Sequence, residues 1–168
     1  MTYVAPGTTG FAARGGSLAK KITSELALID TELDSLVATD AAGLKIVKGT
    51  LTAGAANAFA LAWQNPESSK ILVTRVMLRI ETAGGTATSV IDVGPGASAT
   101  THSDTLIDGL DINQTGIFDN ITNKGSNGLA IGCVLDEKDG TTDYITGQIL
   151  TEAASALVGK YYIFYTVV

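Results

Sequence analysis

The chain has 168 residues, of which 45% are hydrophobic and only 17% charged, and its net charge is −6. That length suits one domain with a real core, and an acidic chain whose only adjacent basic pair is Lys20–Lys21 lacks the cation stripe that direct nucleic-acid binding needs. Apolar stretches such as residues 161–165 fall far short of the roughly 20 residues that cross a bilayer, so no membrane partner is expected.

No basic segment precedes an apolar one in residues 1–11, so no signal peptide is expected. The single Cys133 excludes an internal disulfide and a Cys-based zinc site, and among Leu129, Ile131, Val134 and Leu135 it reads as a small core residue.

Residues 1–16 hold several breakers and no periodicity, which reads as an extended arm without its own core. The arm carries Tyr3, Val4 and Phe11, apolar groups suited to docking on a partner; a disordered tail is the alternative. Ser17 suits an N-cap. Beyond it Leu18, Ile22, Leu26, Ile29, Leu33 and Leu36 follow a 4, 3, 4, 3 spacing once Leu18 has opened the face. This predicts a short coiled-coil-like helix over 18–36, about 28 Å long at 1.5 Å per residue. Leu at a and Ile at d favour three or four strands over two. A helix of this length is not stable alone in water, so it either associates with its own copies or lies on its own domain. The ATDAAG stretch at 38–43 breaks the pattern, giving an N-terminal unit at 1–43 and a second domain at 44–168.

From Leu44 the apolar period becomes two. Strands are predicted at 44–52, at 58–63 with Phe59, Leu61 and Trp63 on one face, and at 70–82. In the last, Leu72, Val76, Leu78 and Ile80 are assigned to one face and Val73, Arg75, Met77 and Arg79 to the other. Residues 83–86, AGGT, read as a hairpin-type turn leading to a strand at 88–93. The polar stretch 94–128 reads as a folded excursion with one or two short strands. Further strands are expected at 129–135, at 143–151 with an interruption at Gly147, and at 159–168. The fold class is mainly β: an antiparallel, jelly-roll-like sandwich behind an N-terminal arm and helix.

The chain offers little chemistry. His102, the only histidine, lies beside Ser103 and Asp104 on one loop, and adjacent residues point apart rather than converging as a triad. The GFAARGGS stretch at 10–17 lacks the lysine and the preceding strand of a phosphate-binding loop. Asp104, Asp108, Asp111 and Asn113 offer oxygen ligands for a cation, but Asp and Asn also form turns with their own backbone, and turn chemistry is the preferred reading. Glu81 and Asp92 are a conceivable carboxylate pair for glycoside cleavage, with no aromatic groove beside them, and Trp63 reads as core. No cofactor is expected.

Two stretches carry a resemblance. Gly10–Phe11 with Ser17–Ile22, Glu25–Leu26 and Ile29–Asp30 resembles N-terminal segments of small virion proteins of tailed bacteriophages. Ile91–Gly94, Asp104–Asp111 and Gly116–Asn120 resemble a segment of phage head-decoration and head-fibre-like β-sandwich proteins. Together they span about a third of the chain. The resemblance implies a non-enzymatic virion component, a homotrimer outside the capsid with its N-terminal part toward the major capsid protein. It carries over no catalytic residue. A tail or baseplate component, and a carbohydrate-binding sandwich using the 94–128 excursion, are the alternatives; an enzyme would need a catalytic site not visible in the sequence.

Overall fold

The computed structural model describes residues 43–85 and 88–168. The expected arm residues Tyr3, Val4 and Phe11, and the expected helix with Leu18, Ile22, Leu26, Ile29, Leu33 and Leu36, lie outside the described residues.

The described chain forms β1 (Lys45–Leu51), β2 (Phe59–Gln64), β3 (Ile71–Thr82), β4 (Val90–Gly96), β5 (Ile107–Asp111), β6 (Gly116–Asp119), β7 (Cys133–Leu135), β8 (Tyr144–Leu150) and β9 (Val158–Val167). They build two sheets. The first has the order β1-β9-β3-β6, with β7 also paired to β3; the second has the order β2-β8-β4-β5. All pairs are antiparallel. The pairing nests: β4 with β5, β3 with β6, β2 with β8 and β1 with β9. A long hairpin rolled over itself gives this order, the jelly-roll arrangement. β7 is an insertion in the returning arm. The expected mainly β sandwich is thus present in the described residues.

Alternation along the strands builds the core between the sheets. The first sheet contributes Ile71, Val73, Val76, Leu78, Ile80 and Ile163; the second contributes Leu61, Ile91, Val93, Ile145 and Ile149. Each is almost fully buried, and burial of such a side chain contributes about 1.5–3 kcal/mol. Trp63 packs against the edge of this core, its ring 5.4 Å from that of Tyr165.

Several local expectations change. In β3 the register against β9 shifts between Val73 and Arg75. This bulge turns Val73 inward and Leu72 outward, reversing their expected faces, because one extra residue inverts the alternation. The chain leaving β3 through residues 83–85 does not open a hairpin, since β3 and β4 belong to opposite sheets. It forms an arch, tied by the Gly84 N–H to the Ile112 carbonyl and by the Ala156 N–H to the Gly84 carbonyl. Gly85, at φ 110°, takes a conformation that L side chains avoid. The strand expected at 129–135 shrinks to β7, since residues 128–129 bond back toward Thr105 and Lys124. Gly147 does not interrupt β8; it lies buried in the strand, against Leu61 and Ile91. The excursion at 94–128 does hold two short strands, β5 and β6.

Candidate functional site

The two sheets treat their outward faces differently. On the second sheet Asp92, Gly94 and Gly96 of β4 point away from the core, opposite Gln148, Thr146 and Tyr144 of β8. Residues 97–105 fold back over this face as a polar strap. Glycine is required beneath it: a Cβ on Gly94 would collide with Ser103, and one on Gly96 with Thr101. Asp92 pins the strap, its Oδ2 2.8 Å from His102 Nε2 and its Oδ1 accepting the Gly109 N–H at 2.7 Å. The Thr146 hydroxyl donates to the Thr101 carbonyl at 2.6 Å. Asp92 and Thr146 are therefore buried although they face outward.

The acidic residues of the excursion make turn and strap contacts. Asp108 Oδ2 accepts the Asn127 N–H at 2.9 Å, Asp104 Oδ2 accepts from Asn127 Nδ2 at 3.2 Å, and Asp111 Oδ1 accepts the Asn113 N–H at 2.7 Å. Among the described residues no group of three or more His, Cys, Asp or Glu side chains gathers to hold an ion. Glu81 and Asp92 sit in opposite sheets, with Glu81 engaged by Arg79 and Lys160. His102 meets Asp92 rather than its neighbour Asp104.

No described segment crosses the outward face of the first sheet. Its rows, read from the pairing, are Ile46–Phe164–Arg75, Lys48–Tyr162–Met77–Asp119, Thr50–Lys160–Arg79–Ile117 and Thr166–Leu72–Val134. Among the described residues the exposed large hydrophobics are Leu44, Ile46, Ile117, Ile121, Leu129, Ile131, Val134, Val158 and Val168, each 46–69% exposed. All belong to the first sheet, to the 120–132 segment joining β6 and β7, or to the residues flanking β1 and β9.

Charge follows the same division. The strands of the first sheet carry the cations Lys45, Lys48, Arg75, Arg79 and Lys160 against the carboxylates Glu81 and Asp119. The strands of the second carry Asp92, Asp108 and Asp111 and no cation. An apolar, cation-bearing face on an acidic chain is the pattern of an interaction surface.

Two polar clusters hold the first sheet in shape. Asp119 receives the Arg75 guanidinium, the N–H groups of Ile121 and Thr122, and the Thr122 hydroxyl. Burial works to raise this carboxyl, and the Arg75 bond followed by the Thr122 and Ile121 bonds outweighs it, bringing it down to about 2. Beside it Asn120 continues the strand pairing: its Oδ1 accepts the Val76 N–H at 2.8 Å and its own N–H bonds the Val76 carbonyl. At the far end Glu67 accepts from Lys45 at 2.8 Å and from the Tyr165 hydroxyl at 3.1 Å. Lys45, outdoing the opposing effect of burial, lowers the Glu67 carboxyl; burial and the Glu67 bond push the Tyr165 hydroxyl up to about 12. Cys133 faces the core from β7, and burial pushes its thiol up to about 12, leaving it protonated and unreactive near neutral pH.

Chains of two solved phage capsids are similar to this one. A chain of the cyanophage Pam1 capsid asymmetric unit superposes with a TM-score of 0.43 at 18% identity, over 75% of this chain and 86% of that one. A chain of the acid-stable capsid of Helicobacter pylori bacteriophage KHP30 superposes with a TM-score of 0.40 at 12% identity, over 74% of this chain and 86% of that one. No family model matches the chain, and no curated protein matches it in sequence.

Sequence reasoning missed the strap and its Asp92–His102 pin, which join residues from a strand and a loop. The signal was present as Gly94 and Gly96 at alternate positions of one strand, room left on one face for a second layer of backbone. It also missed the exposed apolar face, and the bulge at Val73–Arg75 reversed the faces of Leu72 and Val73.

Proposed function

We propose that the chain is a structural virion protein, a capsid decoration or head-fibre protein that docks on the capsid surface as an oligomer. The single observation that carries this reading is the division between the sheets: one outward face is covered over β4 and β8 by the chain's own strap, the other is apolar, cation-bearing and crossed by no described segment. Exposed apolar area of this kind calls for a protein neighbour. The superpositions on the two capsid chains are too loose to carry the reading, which rests on the surface.

In this scheme residues 1–43 are an arm and oligomerisation helix, and 44–168 the exposed domain. Leu18, Ile22, Leu26, Ile29, Leu33 and Leu36 join three copies. Tyr3, Val4 and Phe11 dock on the major capsid protein. The polar groups of the second sheet are engaged in structural bonds, which supports a mechanical role over a catalytic one. A trimer suits a threefold site, since closed symmetry repeats each contact.

The test is to image particles carrying a tagged copy and to measure the assembly state of the pure chain. Density at regular positions on the head, and a trimer by native mass spectrometry, are expected. Label confined to the tail, or an assembly state and particle incorporation unchanged by Leu26→Ser with Ile29→Ser, overturns the reading.

A further inference from the structure

Seven of the exposed hydrophobics lie at the two opposite edges of the first sheet, and the other two, Val158 and Val168, at the ends of the interior strand β9. One edge is β1, with Leu44 and Ile46. The other is formed by β6, β7 and the segment between them, with Ile117, Ile121, Leu129, Ile131 and Val134. The joining segment closes that side of the sandwich by running along β5: the Asp108 N–H bonds the Lys124 carbonyl, and the Leu129 N–H bonds the Thr105 carbonyl.

Three further properties relate the edges. Their net charges are opposite: residues 44–52 contain Lys45 and Lys48 and no carboxylate, while residues 104–134 contain Asp104, Asp108, Asp111 and Asp119 against one cation, Lys124. Leu44 and Val134 stand at the same height along the strands. Leu72 pairs with Val134 on one side and Thr166 on the other, and Leu44 continues the β1 register just beyond the Lys45–Tyr165 pair. Their directions are opposed too: β1, β9, β3 and β7 alternate in sense, so β7 of one copy set beside β1 of another is antiparallel.

We propose that copies of this chain join head to tail, the β1 edge of one against the 121–134 edge of the next, with Leu44, Ile46 and Lys48 meeting Leu129, Ile131, Val134 and the Asp104–Asp108 rim. This rests on the oligomeric reading above and names its contact. Two unlike patches on opposite edges make a heterologous contact, whereas a twofold contact needs one self-complementary patch. Equal height at this row lets each junction add rotation without a step, which is what a ring around an axis parallel to the strands requires; the ring closes where the rotation per copy divides a full turn.

Cysteine cross-linking of the full chain tests this. Ile46→Cys and Ile131→Cys are made separately, one with a mass tag, and the wild-type chain, whose Cys133 faces the core, is the control. The equimolar mixture is expected to oxidise to a mixed disulfide dimer, with loss of that band when either variant is oxidised alone. The double variant is expected to yield covalent closed rings. Cross-linking of Ile46→Cys alone shows a twofold edge contact and overturns the proposal. So does Ile46→Cys shielded from maleimide equally at every concentration, which shows β1 covered by the chain's own residues. Shielding that arises only in particles assigns the edge to the major capsid protein and overturns the proposal as well. A chain found on the head that fails the mixing experiment defeats this contact and leaves the function reading standing.

Discussion

The second sheet and the first sheet share a core but solve the problem of their outer faces in opposite ways. The second covers itself with the polar chain 97–105, using glycines at 94 and 96 and a buried carboxylate to seat it. The first leaves Ile46, Tyr162, Phe164, Met77, Leu72 and Val134 on its outward rows and is pinned at its irregular edge through Asp119 and Asn120 and at its far end through Glu67. Under the proposed function, the apolar face is the one that meets another protein. Its exposed residues therefore define a side of the molecule rather than a scatter.

Breaking the strap should have the largest effect. Gly94→Val places side-chain atoms where Ser103 lies, and the loss is expected to be about 3 kcal/mol by urea denaturation, with new protease cleavage within 97–105. The matching lesion on the first sheet, Asp119→Ala, leaves Arg75 and two N–H groups without their acceptor and is expected to cost about 2 kcal/mol.

Asp119 also sets an acid limb. Its carboxyl is depressed in the folded chain to about 2, so its contribution is present above the ordinary carboxylate range and is lost as pH falls toward 2. Stability curves of Asp119→Asn should run flatter than wild type between about pH 4 and pH 2, where unfolded and folded carboxyls differ. Identical slopes would show that Asp119 does not set this limb.

His102→Ala is a smaller lesion, because the imidazole is partly exposed while Asp92 keeps the Gly109 N–H. Roughly 1 kcal/mol is expected, with faster hydrogen exchange in the strap and none of the change extending to the first sheet. Ile46→Ser is the mildest for folding, within about 0.5 kcal/mol, and sharpens the contrast most. It should leave the denaturation midpoint alone and weaken association, read by sedimentation. An equal substitution at exposed Ala62, on β2 of the second sheet, should change neither.

Much of the sandwich was legible in the sequence because period-two alternation over 44–52, 58–63 and 70–82 depends only on local burial. What failed had longer-range causes. Leu72 reads as inward because counting by twos cannot see a bulge, and the bulge is set by pairing with β9, some ninety residues away. The AGGT turn looks like a hairpin because tight turns and arches between sheets use the same glycines. The turn role of Asp111 was legible, since Asp two residues before a free N–H is a local motif; that of Asp108 was not, because it bonds the Asn127 N–H from a distant segment. Asp92 was not, because its partners come from residues 102 and 109 on a loop and a later strand.

The nested pairing has a consequence for how the molecule is made. β9 lies between β1 and β3 and bonds along nearly the whole of each, yet it leaves the ribosome after both. Until it arrives, the two strands it joins have no shared neighbour, and Val76, Leu78 and Ile80 of β3 lack Ile163, Tyr161 and Gly159 beside them. Assembly of the first sheet therefore waits for the end of the jelly roll, and the nascent chain passes through a window in which holding factors, or premature pairing with a sister strand, decide its yield.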